Sequence, residues 1–175
     1  LGQVLYGTPT ATPGGGNTGD GSVGSLVLKT GAQGGDYLLE CILADGENPS
    51  VFQVIDPQGD RLANAVVDAA YDNGQLGFTI AEDGEAAFVV GDTFTINVPD
   101  GSLNFVAFDQ DAVTGAQRAA GVSFGNYNAT DADVPGVIIA RDAEVAAPQL
   151  TWPADIDPGE QAVAEAQLEA LGVLG

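Results

Sequence analysis

The stretch Asn128–Gly175, NATDADVPGVIIARDAEVAAPQLTWPADIDPGEQAVAEAQLEALGVLG, carries the densest structural signals in the chain. An apolar run at Val137–Ala140 is followed by Arg141-Asp142, then by a second short run at Gln149-Leu150-Thr151-Trp152-Pro153. The remainder reads as one helix. Asp157 suits the N-cap, Pro158 the first helical position, and Glu160 stands three residues after the cap to complete a capping box. Ala164, Leu168 and Leu171 share a face at helical spacing, and Gly172 is placed to end the helix. Val173-Leu174 can then fold back onto the last turn. The spacing predicts a helix over Pro158–Leu171, and helix signals are confined to this end.

Upstream the texture is that of short strands. Candidate strands are Ser25–Lys29, Tyr37–Ala44, Val51–Ile55, Leu62–Val67, Gly77–Ile80, Ala86–Val90 and Thr93–Val98. Turn residues separate them at Asp45-Gly46, Asp56-Pro57-Gln58-Gly59, Asp72-Asn73-Gly74, Asp83-Gly84, Gly91-Asp92 and Pro99-Asp100-Gly101. Pro57 fixes φ for a turn, and Asn73-Gly74 suits a tight hairpin. Thr93–Val98 alternates strictly, with Phe94, Ile96 and Val98 on one face, as a half-buried strand does. Together these imply a small β-sandwich or barrel. Thr8–Gly24 lacks periodicity and reads as an extended, flexible linker. Beyond Gly101, Ser102–Phe108, Ala119–Phe124 and Val137–Arg141 read as further strands. The fold class is therefore mainly β with a C-terminal helix. The expected organisation is a β domain at 13–100 inserted into a discontinuous core of 1–12 and 101–175.

Composition narrows the chemistry. The 175 residues include no His, no Met, one Cys and four basic residues (Lys29, Arg61, Arg118, Arg141) against 25 acidic ones, for a net charge of −21. Residues 13–100 hold 14 acidic and 2 basic residues, net −12, and residues 101–175 hold 11 and 2, net −9. Nucleic-acid binding needs clustered Lys and Arg and is disfavoured. With 45% hydrophobic residues the chain has the means to build a core despite its charge. The acidity reads either as a solvating surface or as adaptation to a saline environment. No apolar run is long enough to span a bilayer and no secretory start is visible, so a soluble chain with no membrane partner is expected. The chain begins at Leu1 rather than Met, which leaves a preceding segment open.

Without His, the commonest general base and metal ligand is missing. Cys41 lies in the apolar run Tyr37–Leu43 and reads as a core thiol. Paired acids at Asp109/Asp111, Asp131/Asp133 and Asp155/Asp157 have the alternation of loop carboxylates that can bind Ca²⁺, but none continues into an EF-hand spacing, and Asp157 serves better as a cap. The Gly14–Gly21 run lacks the Lys-Ser/Thr of a phosphate loop. No catalytic residue, metal or cofactor is expected, and the chain does not read as an enzyme. Trp152-Pro153 has two readings: a core aromatic held by a rigid turn, or an apolar anchor at a subunit contact.

The chain as a whole resembles the lambda-type head decoration proteins of tailed bacteriophages. The resemblance rests on Leu1-Gly2-Gln3-Val4-Leu5-Tyr6 as opening strand, Asn104–Phe108, Ala119–Val122, the loop at Tyr127–Asp131, the Leu-Thr-Trp-Pro step and the Ala-Leu-Gly-Val ending. Gly16–Gly21, Asp56–Gly59 and Val90–Ile96 match phrases of an extra β domain that some relatives carry. It implies a β-clip-like core and a homotrimer on the outer surface of the virion's expanded head. There the protein would bind the major capsid protein as a cement against internal DNA pressure. It also implies capsid or subunit contacts at Leu1, Gly2, Gln3, Val4, Leu5, Tyr6, Trp152 and Pro153. The chain departs from the pattern in having no Lys or Arg in 142–175. Two other readings stand beside it: an acidic adhesin-type module of a bacterial surface, and a carbohydrate-binding display domain at 13–100. Tandem repeats and Ca²⁺-dependent melting would mark the adhesin.

Overall fold

Where apolar and polar residues alternate, the chain forms pleated sheet. The computed structural model describes residues 1–44, 46, 49–82 and 86–174. In chain order the strands are β1 (Gly2–Gln3), β2 (Thr10–Pro13), β3 (Ser22–Leu28), β4 (Gly35–Leu43), β5 (Val51–Ile55) and β6 (Ala65–Val66). They continue with β7 (Ala70–Asp72), β8 (Leu76–Ala81), β9 (Thr93–Val98), β10 (Phe105–Val106), β11 (Val122–Ser123) and β12 (Ile138–Ile139). A 3-10 turn at Ala147–Gln149 and helix α1 (Pro158–Ala170) follow. The fold is mainly β with a C-terminal helix. The chain divides into two compact units, one of residues 1–5 with 102–175 and one of residues 6–101.

The 6–101 unit contains a five-stranded sheet of order β2-β9-β4-β5-β6 and a three-stranded sheet of order β3-β8-β7, all antiparallel. Register sets the core. Tyr37 faces Ile96, Leu39 faces Phe94 and Cys41 faces Phe52, and all six side chains are buried. Leu76, Phe78 and Ile80 are buried from the second sheet. Phe88 meets Phe52 edge-on at 5.0 Å and lies 5.8 Å from Phe94. Burial pushes the Cys41 thiol up, as expected of a core residue rather than a nucleophile. Asn73 turns β7 into β8, its side chain accepting from the N–H groups of Gln75 and Leu76.

Three expectations change here. Thr8–Gly24 is no free linker: Thr10–Pro13 pairs with β9 and Ser22–Gly24 with β8. Between them, Asn17 exchanges hydrogen bonds with the Thr93 backbone at 2.7 and 2.8 Å. Buried Asp92 accepts from Thr18, Gly19 and Val89 N–H at 2.8–3.0 Å. Burial opposes ionisation of Asp92, but the three backbone donors outweigh it and hold the carboxyl below its usual range. Residues 6–12 accordingly belong to the 6–101 unit. Second, Ala86–Val90 is not a strand. Its N–H groups are taken by carboxylates, Ala86 by Asp20, Phe88 by Glu82 and Val89 by Asp92, which removes the ladder donors a strand needs. Third, Leu62–Val67 is strand only at Ala65–Val66, and Ala70–Asp72 is a strand not read from the sequence. The turn residues Asp45, Asp83 and Gly84 lie outside the described residues.

In the other unit β1 pairs antiparallel with β10, and β11 with β12. The long strand expected over Ser102–Phe108 is reduced to Phe105–Val106, with Leu103 at φ +60° interrupting it on the N-terminal side. Similarly, Asp142 at φ +51° closes the run after β12. Helix α1 begins as its sequence requires. Asp157 accepts from Gly159 and Glu160 N–H at 2.7 and 2.9 Å, and Glu160 accepts from Asp157 N–H at 2.9 Å. It ends at Leu171 in a Schellman motif, Gly172 N–H reaching the Glu169 carbonyl and Val173 N–H the Leu168 carbonyl. Gly172 supplies the positive φ, +70°, that this ending demands. Val173 and Leu174 then bury beside Ala164, Leu168, Phe108 and Ala119, and Val145 pairs with Leu174.

Candidate functional site

The opening segment is fixed by backbone bonds. Leu1 N donates to the Gly121 carbonyl at 2.9 Å, and its own carbonyl accepts from Ala120 N–H at 2.9 Å. Val4 exchanges hydrogen bonds with Asn104 and Leu103, and Leu5 N–H reaches the Thr114 carbonyl at 2.7 Å. Gly2 is required by close approach, since a Cβ there would collide with the backbone of Ala116. Tyr6 belongs to the other unit, where it bridges Asp100.

Two clefts open in the unit of residues 1–5 and 102–175. The larger, about 720 Å³, is walled by Leu1, Phe124, Tyr127, Leu150, Trp152 and Pro153 among others. The structure thus brings Leu1, Trp152 and Pro153 together. Trp152 packs edge-on against Phe108 with centroids 6.5 Å apart, which serves the core reading. Its half-exposed ring also lines the cleft. The Trp152 Nε1–H is buried without an acceptor among the described residues. Phe124, 73% exposed, lines the cleft, and its N–H donates at 3.0 Å to the carbonyl of Val137, itself 60% exposed. Exposed apolar groups gathered in this way mark a contact surface more than isolated ones do. The Tyr127 hydroxyl accepts from Val137 N–H at 2.9 Å and ties the loop across.

The second cleft, about 380 Å³, is lined by Gln3, Leu5, Phe105, Arg118, Arg141 and Leu171 among others. Arg118 and Arg141 are the only basic residues in 102–175 and both are exposed. Among the described residues the one ion pair is Lys29–Asp72 at 2.7 Å, so neither arginine has an acidic partner there. Sequence reading passed over Phe124 and both arginines. The arginines lie 23 positions apart in loops, and no local pattern joins them.

The acid pairs have local tasks. Asp109 accepts from Asp111 N–H, Asp133 accepts from the Asn104 amide at 2.8 Å, and Asp157 caps α1. Among the described residues no group of three or more His, Cys, Asp or Glu converges in a way that would hold a metal. In the 6–101 unit the rings of Tyr37, Phe52, Tyr71, Phe78, Phe88 and Phe94 are buried. They cannot form an exposed stacking platform for sugars.

The chain is mainly β, with a capped C-terminal helix and a cleft lined by Trp152 and Phe124. It belongs to the bacteriophage lambda head decoration protein D family, whose sequence model matches residues 19–173. The family is that of phage head decoration proteins, structural components associated with the capsid. No curated protein matches the chain. Two crystal structures of Xanthomonas campestris FlgL, in space groups H3 and C2, align with TM-score 0.41 at 21% and 20% identity. They cover 57% and 55% of this chain, and the chain covers 31% of each FlgL chain.

Proposed function

We propose that the protein is a non-enzymatic cement, a homotrimer bound to the outer surface of an expanded tailed-phage head through the major capsid protein. The cleft lined by Trp152, Pro153 and the exposed Phe124 is the observation that supports a docking role beyond family membership. Leu1–Tyr6, Trp152 and Pro153 are the proposed contact residues. In this reading the sheets of residues 6–101 form a β domain inserted into a core formed by 1–5 and 102–175. Binding that favours the expanded lattice over its alternatives stabilises it by mass action, and so resists internal DNA pressure. With a net charge of −21, neither nucleic acid nor a catalytic substrate is a proposed partner.

Decorated and undecorated heads, heated side by side with DNA release as the readout, test this. Decoration is expected to raise the release temperature, and Trp152→Ala to lower occupancy at least about tenfold, as loss of an aromatic anchor does. Equal release from both would reject the cement role and favour display or adhesion. Three copies bring together a net charge of −63, three times the net −21, so association is expected to tighten as salt screens repulsion.

A further inference from the structure

We infer that the Arg118–Arg141 cleft is the self-association contact, receiving carboxylates from a second copy of this chain. The inference rests on the trimer reading above and names the surface it uses. Both basic residues of the 102–175 segment line one cleft. The same segment carries 11 acidic residues, yet neither arginine is ion-paired among the described residues. Each guanidinium keeps five donors in a fork shaped for carboxylates.

Charge complementarity selects the occupant. A second copy brings 25 carboxylates and only four cations, so the surface it presents is overwhelmingly that of an acid. Association of such copies faces strong like-charge repulsion unless cations sit where the copies meet. The apolar wall of Leu5, Phe105 and Leu171 gives the contact a dry side, against which charge-assisted hydrogen bonds are stronger than in open water. Phe105, 38% exposed, is left open for burial in such a contact.

Sedimentation equilibrium of the full chain at fixed salt tests the inference, with circular dichroism confirming that each variant is folded. The pair R118Q/R141Q is expected to weaken association at least about tenfold, and R118K/R141K to recover part of the loss. K29Q/R61Q reaches the same net charge of −23 from the 6–101 unit and is expected to associate as the wild type does. Equal losses in both Gln pairs would assign the effect to overall charge and overturn the inference. Wild-type association in R118Q/R141Q would overturn it too, and if head binding were lost instead, the arginines would belong to the capsid contact. A wild type that stays monomeric both free and on heads would remove the trimer reading itself, a distinct failure.

Discussion

Asp92 shows how much a single carboxylate can organise. Its two oxygens take three backbone N–H groups, two from the Gly-rich segment after β2 and one from the segment before β9. Asn in its place sets an amide donor against backbone donors, and Asp92→Asn is expected to cost about 3 kcal/mol in the 6–101 unit. The sign of the pH effect follows from the depressed carboxyl. Stability from Asp92 is fully present above its unfolded pKa, about 3.9, and is lost as pH falls through the lower folded value. The melting-temperature gap between wild type and Asp92→Asn should therefore be constant near neutrality and close in acid. A gap that persists undiminished at the lowest pH at which both still fold would show that the carboxylate's charge is not what matters. Tyr71 has a similar dependence on burial: its hydroxyl is pushed up to about 12, first by burial and then by Asp72 and Tyr37.

At the scale of elements, helix α1 is the part whose start and stop are written in adjacent residues. Asp157→Ala removes two N-terminal hydrogen bonds and is expected to cost about 1 kcal/mol, with Gly172→Ala costing a similar amount, about 1 kcal/mol, through its positive φ. Each should lower the melting temperature of the unit that holds the helix by several degrees, followed at 222 nm; no change in either would mean that tertiary packing alone sets the helix ends. The helix could be read from sequence because capping and Schellman geometry depend on residues at most five apart. Strand β9 could be read because a period of two is also local. Ala86–Val90 had the right composition for a strand, but side-chain carboxylates competed for its backbone donors, and that of Asp20 lies 66 positions away. Likewise, the Gly-rich segment looked free because nothing adjacent signals that Asp92 and Asn17 tie it down.

For the whole molecule, composition and phrase order carried the family, whereas the clefts stayed hidden. Leu1 and Trp152 line one cleft, and Arg118 and Arg141 another, only once the long stretches of chain between them have folded. The pairing of β1 with β10 sets a timetable for synthesis. Gly2–Gln3 leave the ribosome about a hundred residues before their partners, an interval of roughly 5–20 s at ordinary elongation rates. Residues 6–101 are contiguous and have no need to wait. When they fold, the Tyr6–Asp100 bridge and the Gly7–Pro99 hydrogen bond of 2.8 Å bring the two ends of the segment together. The entropy of closing so long a loop is then already spent, and β1 is held ready for the strand that emerges next. Protease pulses on nascent chains stalled near residue 135 should find 6–101 already resistant while the opening strand is still cleavable. Resistance of both segments only on release of the full chain would reverse that order, and would make the C-terminal helix the event on which all folding depends.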